Sequence, residues 1–228
     1  MEPTTEVRFS DELFTDDSVL LGYPSARCPS TVLTIGAGAN IRSGTVIYSG
    51  TSIGDRFATG HNVVVREETL IGDDVSIWSN TVVDYGCSIG DRVKIHSNCY
   101  IAQYTELEDD VFLAPGVTMA NDLFPGTPES AQAMAGPRIC RGAQIGVNVT
   151  ILPYVTIGPG AIVGGGSVVT KDLPGHMIAY GSPATPVRPV PEPEAVVDRV
   201  RRGRAARFSP VEGIEVGSSV GGAAPEWR

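Results

Sequence analysis

Residues 53–95, IGDRFATGHNVVVREETLIGDDVSIWSNTVVDYGCSIGDRVKI, repeat themselves at short intervals, and that rhythm decides the fold. Stepping by six from Ile53 meets Thr59, Val65, Ile71, Ile77, Val83, Ile89 and Ile95. The same step runs back through Ile47 and Ile41 to Ile35, and forward through Ile101, Leu107 and Leu113 to Met119. It stops there and restarts at Ile139, passing Ile145, Ile151, Ile157, Val163 and Val169, so 20 of 21 sampled positions are aliphatic and Thr59 alone breaks the rule.

The fifth residue of each hexad is small or β-branched, as in Ala39, Thr45, Val63, Thr81, Cys87 and Cys99, with Phe57 as the exception. The fourth favours Gly, Asn or Asp, as in Gly44, Asn62, Asp74, Asn80, Asn98 and Gly116, residue types that tolerate positive φ. One aliphatic plug, one small inward residue and one left-handed corner describe a short strand and a bend. A helix, at 3.6 residues per turn, would smear this apolar period around its surface. The pairs Ile35-Gly36, Ile53-Gly54, Ile71-Gly72 and Ile89-Gly90 recur every eighteen residues, so three hexads make one coil of a three-sided β-solenoid. Seven such coils at ~4.8 Å each predict a prism about 34 Å long.

The 228-residue length allows one large domain with a tail, and 27 glycines suit a chain that turns many corners. A net charge of -9 and a pI near 4.8 argue against a nucleic-acid binder. No apolar run is long enough to span a membrane, which predicts a cytoplasmic protein with no membrane span. Cys28, Cys87, Cys99 and Cys140 are scattered without a C-x-x-C pair, giving no support to a zinc knuckle or disulfide framework.

Residues 17–188 closely resemble the hexapeptide-repeat acyltransferase superfamily. The runs TGHNVVVREETLIGDDVSIWSNTVV, IHSNCYIAQYTELEDDVFLAPGVTMANDLFP and GAQIGVNVTILPYVTIGPGAIVGGGSVVTKDLPG resemble its branch that acetylates nucleotide-linked amino sugars. The resemblance implies an all-β, left-handed parallel β-helix, a homotrimer with sites between subunits, and acetyl-CoA as acyl donor without a metal. The hand comes from the likeness, since general crossover rules favour the other. The expected organisation is an N-terminal cap over 1–34, the β-helix over 35–175 and a C-terminal extension over 176–228. An excursion loop over 120–138 follows from Pro125, Pro128 and Pro137, and EAVVDRVRRGRAARF, 194–208, predicts a short helix in the tail.

Acyl transfer from a thioester to an amine needs the two partners held together and the thioester oxygen stabilised. An alcohol additionally needs a positioned base such as His. His61 and His96 fall on hexads related by eighteen-residue steps, and so share a side with the stacked Asn62, Asn80 and Asn98. The resemblance gives Asn98 the role of holding the reacting amine. His61 is the candidate base or substrate contact, and His96, expected to stack one coil beyond Trp78 at the subunit interface, is a candidate substrate contact. Asn121 and Asp122 open the excursion and are candidate substrate contacts, although Gly126 stands where amino-sugar relatives often carry an Arg after the Pro. Gly164 and Gly165 are expected to leave backbone open to the pantetheine arm of coenzyme A, and Lys171 and Arg188 to meet its phosphates. Cys87 and Cys99 read as inward core residues. Left open are O-transfer with His61 as base, a zinc carbonic anhydrase on the same helix, and a non-catalytic scaffold.

Overall fold

A computed structural model describes residues 5–192; the expected helix over 194–208 lies outside the described residues. The chain winds as a left-handed parallel β-helix with three faces, here called A, B and C. Face A runs from Glu6–Phe9 through Val32–Ile35, Ser52–Ile53, Leu70–Ile71, Ser88–Ile89, Glu106–Leu107 and Arg138–Ile139 to Thr156–Ile157. Face B contains Ala58–Thr59, Ser76–Ile77, Lys94–Ile95, Phe112–Leu113, Gln144–Ile145 and Ile162–Val163, and face C contains Val64–Val65, Val82–Val83, Tyr100–Ile101, Thr118–Met119 and Val168–Val169. Register pairs such as Ile71 with Ile53 and Ile89, or Ile77 with Ile95, put the plugs of successive coils in contact.

These plugs are the core: Ile35, Ile41, Ile47, Ile95, Ile101 and Leu113 are fully buried. The one polar plug, Thr59, accepts a hydrogen bond from the Arg42 backbone N–H at 2.9 Å, so its hydroxyl is not left unpaired inside. Fifth-position side chains have a second task. Thr51, Thr81, Cys87 and Cys99 point hydroxyl or thiol at the carbonyls of Arg66, His96, Ala102 and Ala114, fifteen residues on, where the next coil bends.

The recurring Ile-Gly-Asp has an equally local cause. The carboxylates of Asp55, Asp73, Asp91 and Asp109 each accept the backbone N–H of the preceding coil, those of Ala37, Asp55, Asp73 and Asp91, at 2.8–3.1 Å. A Cβ on Gly36, Gly54, Gly72 or Gly90 would run into the carboxylate of Asp55, Asp73, Asp91 or Asp109 in the next coil, so glycine at these four positions leaves the aspartate above it room. The corner residues Asn62, Asp74, Asn80, Asn98 and Asp110 all have positive φ, between 57° and 61°, as their fourth-position chemistry predicts.

Two coils depart from eighteen residues. Leu107 pairs with Ile139, 32 residues away, so the excursion after Met119 adds fourteen residues to its coil. Phe9 pairs with Ile35, 26 residues away, which means that residues 6–23, within the stretch read as a cap, form another coil and that 24–31 bulge from it. Faces A and C therefore hold eight parallel strands each rather than the seven coils counted from Ile35. At the other end Met177–Gly181 pairs with Ile162–Val163 and folds back antiparallel on Ala184–Pro189, extending face B.

Candidate active site

The corner from face B to face C is a ladder of left-handed residues: Gly44, Asn62, Asn80, Asn98, Gly116, Asn148 and Gly166. From Asn62 on, each holds the coil before it through its own N–H, as Asn98 does by donating to the Ser79 carbonyl at 3.1 Å. Within this ladder the asparagines differ. Asn62 donates its side-chain amide to the Asn80 amide oxygen at 3.4 Å, whereas the exposed Asn98 side chain has no hydrogen-bond partner among the described residues. Its amide is free to meet a ligand.

His61 stands beside Asn62 and is exposed. Its ring Nδ1 lies 2.9 Å from Ser43 Oγ, and its backbone N–H donates to Ser79 Oγ at 2.9 Å. When Nδ1–H donates to Ser43, Nε2 carries the lone pair. His96 lies two residues before Asn98 on face B, stacked on Trp78 with ring centroids 4.3 Å apart and planes 8° from parallel, and Phe112 closes on its other side at 5.0 Å. That stack fixes the imidazole.

Gly164 and Gly165 continue the same edge toward the C-terminal end. Gly164 N–H donates to the Ala179 carbonyl and Gly166 N–H to the Val147 carbonyl, both at 2.8 Å, leaving Gly165 as the one of the three whose N–H has no backbone partner among the described residues. Glycine at 164 is also required by packing, since a Cβ there would come within 2.8 Å of the Tyr180 Cβ.

His61, His96, Asn98, Gly164 and Gly165 thus share one edge of the prism. Asn121, Asp122 and Lys171 do not, because the excursion leaves after Met119 on face C and Lys171 follows Val169 on that face, so all three occupy the corner from C to A. Inside the excursion, Asp122 accepts the Phe124 N–H at 2.8 Å and the Ser130 hydroxyl, and Asn121 bonds Met134 Sδ at 3.3 Å. The Tyr154 hydroxyl donates to the Ala133 carbonyl and ties the loop to the next coil. Arg188 is exposed on the closing hairpin, opposite Ile178.

The same C-to-A corner carries a polar network that the sequence reading missed. The fully buried Glu67 side chain accepts two hydrogen bonds from Arg66, both 2.9 Å, and one from Ser25 Oγ at 2.8 Å. Asp84 accepts from Tyr100 Oη at 2.8 Å and Gln103 Nε2 at 2.6 Å, with Arg66 Nη1 3.6 Å away. Burial opposes ionisation of Glu67, but the bonds from Arg66 and Ser25 outweigh it and hold the carboxyl below its usual range. Burial and the bond to Asp84 push the Tyr100 phenol up to about 12. Arg27 lies over the Tyr85 ring at 3.8 Å, so the 24–31 bulge is pinned on this cluster. The available signal was the eighteen-residue column itself, which sets Arg66 against Asp84.

Burial pushes the Cys87 thiol up to about 12 and also raises that of Cys99, which makes both inert core groups. Among the described residues no group of three or more His, Cys, Asp or Glu side chains is placed to hold a metal ion, and no helix is long and apolar enough to cross a membrane.

Comparison with known proteins agrees with this fold. Residues 136–171 match the family described as bacterial transferase hexapeptide (six repeats). A Schizosaccharomyces pombe protein named "Putative acetyltransferase C18B11.09c" is 54% identical over 46 residues, 20% of this chain and 22% of its own length. A Staphylococcus aureus (strain COL) protein named "Putative acetyltransferase SACOL2570" is 49% identical over 57 residues, 25% of this chain and 29% of its own. The chain thus spans under a third of the length of these curated relatives. Among solved structures, the UDP-N-acetylglucosamine O-acyltransferase of Moraxella catarrhalis RH4 is 19% identical with a TM-score of 0.51, over 92% of this chain and 84% of that one. The polySia specific acetyltransferase NeuO aligns at the same identity and TM-score over 90% of this chain and 99% of its own. Residues 136–171 carry the repeat of the bacterial hexapeptide transferases, and the chain folds as the β-helix of these solved acyltransferases.

Proposed function

We propose that this protein is an acetyl-CoA-dependent N-acetyltransferase acting on the amino group of a nucleotide-linked amino sugar, working in the cytoplasm as a homotrimer with its sites between subunits. The hexapeptide match and the names of the relatives support acyl transfer. The observation that carries the acceptor is the unpartnered, exposed Asn98 amide beside the Trp78–His96 stack. Its oxygen accepts an N–H of the neutral amine and orients the nitrogen lone pair toward the thioester carbonyl. The C–N bond forms as the C–S bond breaks, and the proton lost by nitrogen ends on the departing coenzyme A thiol. Gly165 offers its free N–H to the pantetheine arm, and Lys171 from the corner after face C and Arg188 from the closing hairpin supply charge to the coenzyme's phosphates. Half-buried Val46, Val64 and Val82 on the outer side of face C suit a subunit contact.

With the acceptor held at Asn98, His61 is out of reach as its base, which an amine that binds neutral tolerates and an alcohol does not. It stands two coils from Asn98, about 10 Å at the ~4.8 Å coil spacing, and general-base catalysis needs direct or one-water contact with the proton being removed. His61 then contacts another part of the acceptor, and Asn121 and Asp122 reach substrate from the excursion of an adjacent subunit. The test is thiol release from acetyl-CoA against a panel of nucleotide-linked amino sugars and plain sugars, with His61→Ala and Asn98→Ala. Amine-dependent release, lost in Asn98→Ala and modestly reduced in His61→Ala, is expected. Release with alcohols alone, abolished in His61→Ala, overturns the reading in favour of O-transfer.

A further inference from the structure

Away from the edge that holds Asn98, an open groove lies on the outer side of face B where it meets the corner from face A. It has a volume of about 580 Å³ and is lined by Asp74, Arg92, Lys94, Asp110, Val111, Phe112 and Gln144. Its charges are unequal in availability. Arg92 is spent on Asp110, with Nε and Nη2 bonds of 2.7 and 3.0 Å, and Asp74 is matched by Arg56 at 2.6 and 2.7 Å. Lys94 is exposed and pairs with no carboxylate among the described residues, so the groove carries one free positive charge on a chain whose net charge is -9.

Register fixes what stands beside that charge. Lys94 pairs with Phe112, and Phe112 with Gln144, so ammonium, aromatic ring and carboxamide project from the same side of three successive strands. At ~4.8 Å per coil they span about 10 Å. The Phe112 ring is supported on one side by His96, itself held by Trp78, and presents the rest of its surface to the groove. An ammonium that binds phosphate as a point charge, a flat apolar face on which any base stacks, and an amide that both donates and accepts form a set complementary to one chemical group.

We propose that this groove binds a nucleoside diphosphate moiety, with the phosphates at Lys94, the base on Phe112 and the base edge or ribose at Gln144. The inference rests on the proposed transfer reaction, whose two substrates each bring such a group: coenzyme A as an adenosine 3′-phosphate 5′-diphosphate, and the acceptor as a nucleotide-linked sugar. The Phe112 ring that lines the groove lies 5.0 Å from His96, and His96 stands two residues before Asn98, so a nucleotide held there sits near the edge that carries Asn98.

The experiment is calorimetric titration of the full chain with coenzyme A, UDP, GDP, dTDP and inorganic pyrophosphate, repeated on Lys94→Gln and Phe112→Ala. Loss of a charge-assisted hydrogen bond weakens binding roughly tenfold or more in Lys94→Gln. Loss of stacking weakens nucleotide binding roughly fivefold or more in Phe112→Ala and leaves pyrophosphate unchanged. If both variants weaken coenzyme A and spare the other diphosphates, the groove serves the donor and takes its phosphates in place of Lys171 and Arg188; the reverse pattern assigns it to the acceptor, and either supports the proposal. Unchanged affinity for every probe, or no binding of any probe to the parent protein, overturns it. Thiol release from acetyl-CoA, measured on the same samples, separates the two readings: turnover with unchanged variant affinities removes the groove alone, and variant-sensitive nucleotide binding without turnover removes the transferase reading alone. Both residues project from face B rather than into the core, and unchanged melting of Lys94→Gln keeps the comparison valid.

Discussion

Replacing Glu67 by Ala removes the anchor of the 24–31 bulge without touching an aliphatic plug. Breaking a buried ion pair by deleting one member costs about 3–5 kcal/mol. Here the abandoned Arg66 keeps 30% side-chain exposure and has Asp84 3.6 Å away, which relieves part of that penalty and leaves about 2–3 kcal/mol. Ser25 loses its 2.8 Å bond, and Arg27 loses its 3.9 Å approach to the Glu67 carboxylate and keeps only the Tyr85 ring, a contact worth about 0.5–1 kcal/mol at an exposed site. The bulge should therefore open locally, and trypsin should cut after Arg27. When opening equilibrates before cleavage, 2–3 kcal/mol corresponds to a rate increase of roughly 30–150-fold. Glu67→Gln keeps an acceptor for Ser25 and should fall between the two. The assay is timed limited proteolysis with a urea melt on the same samples. Glu67→Ala that melts with the parent protein and is cut after Arg27 within twofold of its rate refutes the reasoning.

The lowered ionisation of Glu67 sets a pH sign as well: a depressed carboxylate stabilises the fold above its unfolded value, near 4.5, and that contribution disappears as pH falls through the folded value. The urea midpoint of the parent protein should therefore drop more steeply below about pH 4.5 than that of Glu67→Gln. Asp73→Ala orphans the Asp55 N–H and should cost about 1–3 kcal/mol, while Asp73→Asn, which still accepts that bond, should recover most of it. Cys87 and Cys99, buried with raised thiols, should resist an alkylating reagent at pH 8 in folded protein and react after unfolding, read by mass spectrometry of the intact chain.

The β-helix was legible because its cause is periodic: every sixth residue is a plug, Ile-Gly-Asp returns at 53, 71 and 89, and each repeat copies the same contact. The chain was illegible where it breaks phase. The first coil escaped notice because the eight extra residues of the 24–31 bulge put Phe9 and Leu21 out of step with Ile35 and Ile47. The two strands after Met177 carry no hexads at all, since they close the prism rather than extend its winding. At the site, the step of eighteen put His61, His96 and Asn98 on one edge, but the corner from which the excursion leaves depends on which face holds Met119, and that separates Asn121 and Asp122 from Asn98 within one subunit. The Glu67 cluster lay hidden for a different reason, because its burial comes from the bulge and not from the repeat.

The most direct measurement is coenzyme A thiol release with a nucleotide-linked amino sugar against its hydroxyl counterpart, on parent protein and Asn98→Ala. The account predicts release that requires the amine and collapses in Asn98→Ala with the fold intact. Equal release from both acceptors, or an Asn98→Ala protein as active as its parent, contradicts it.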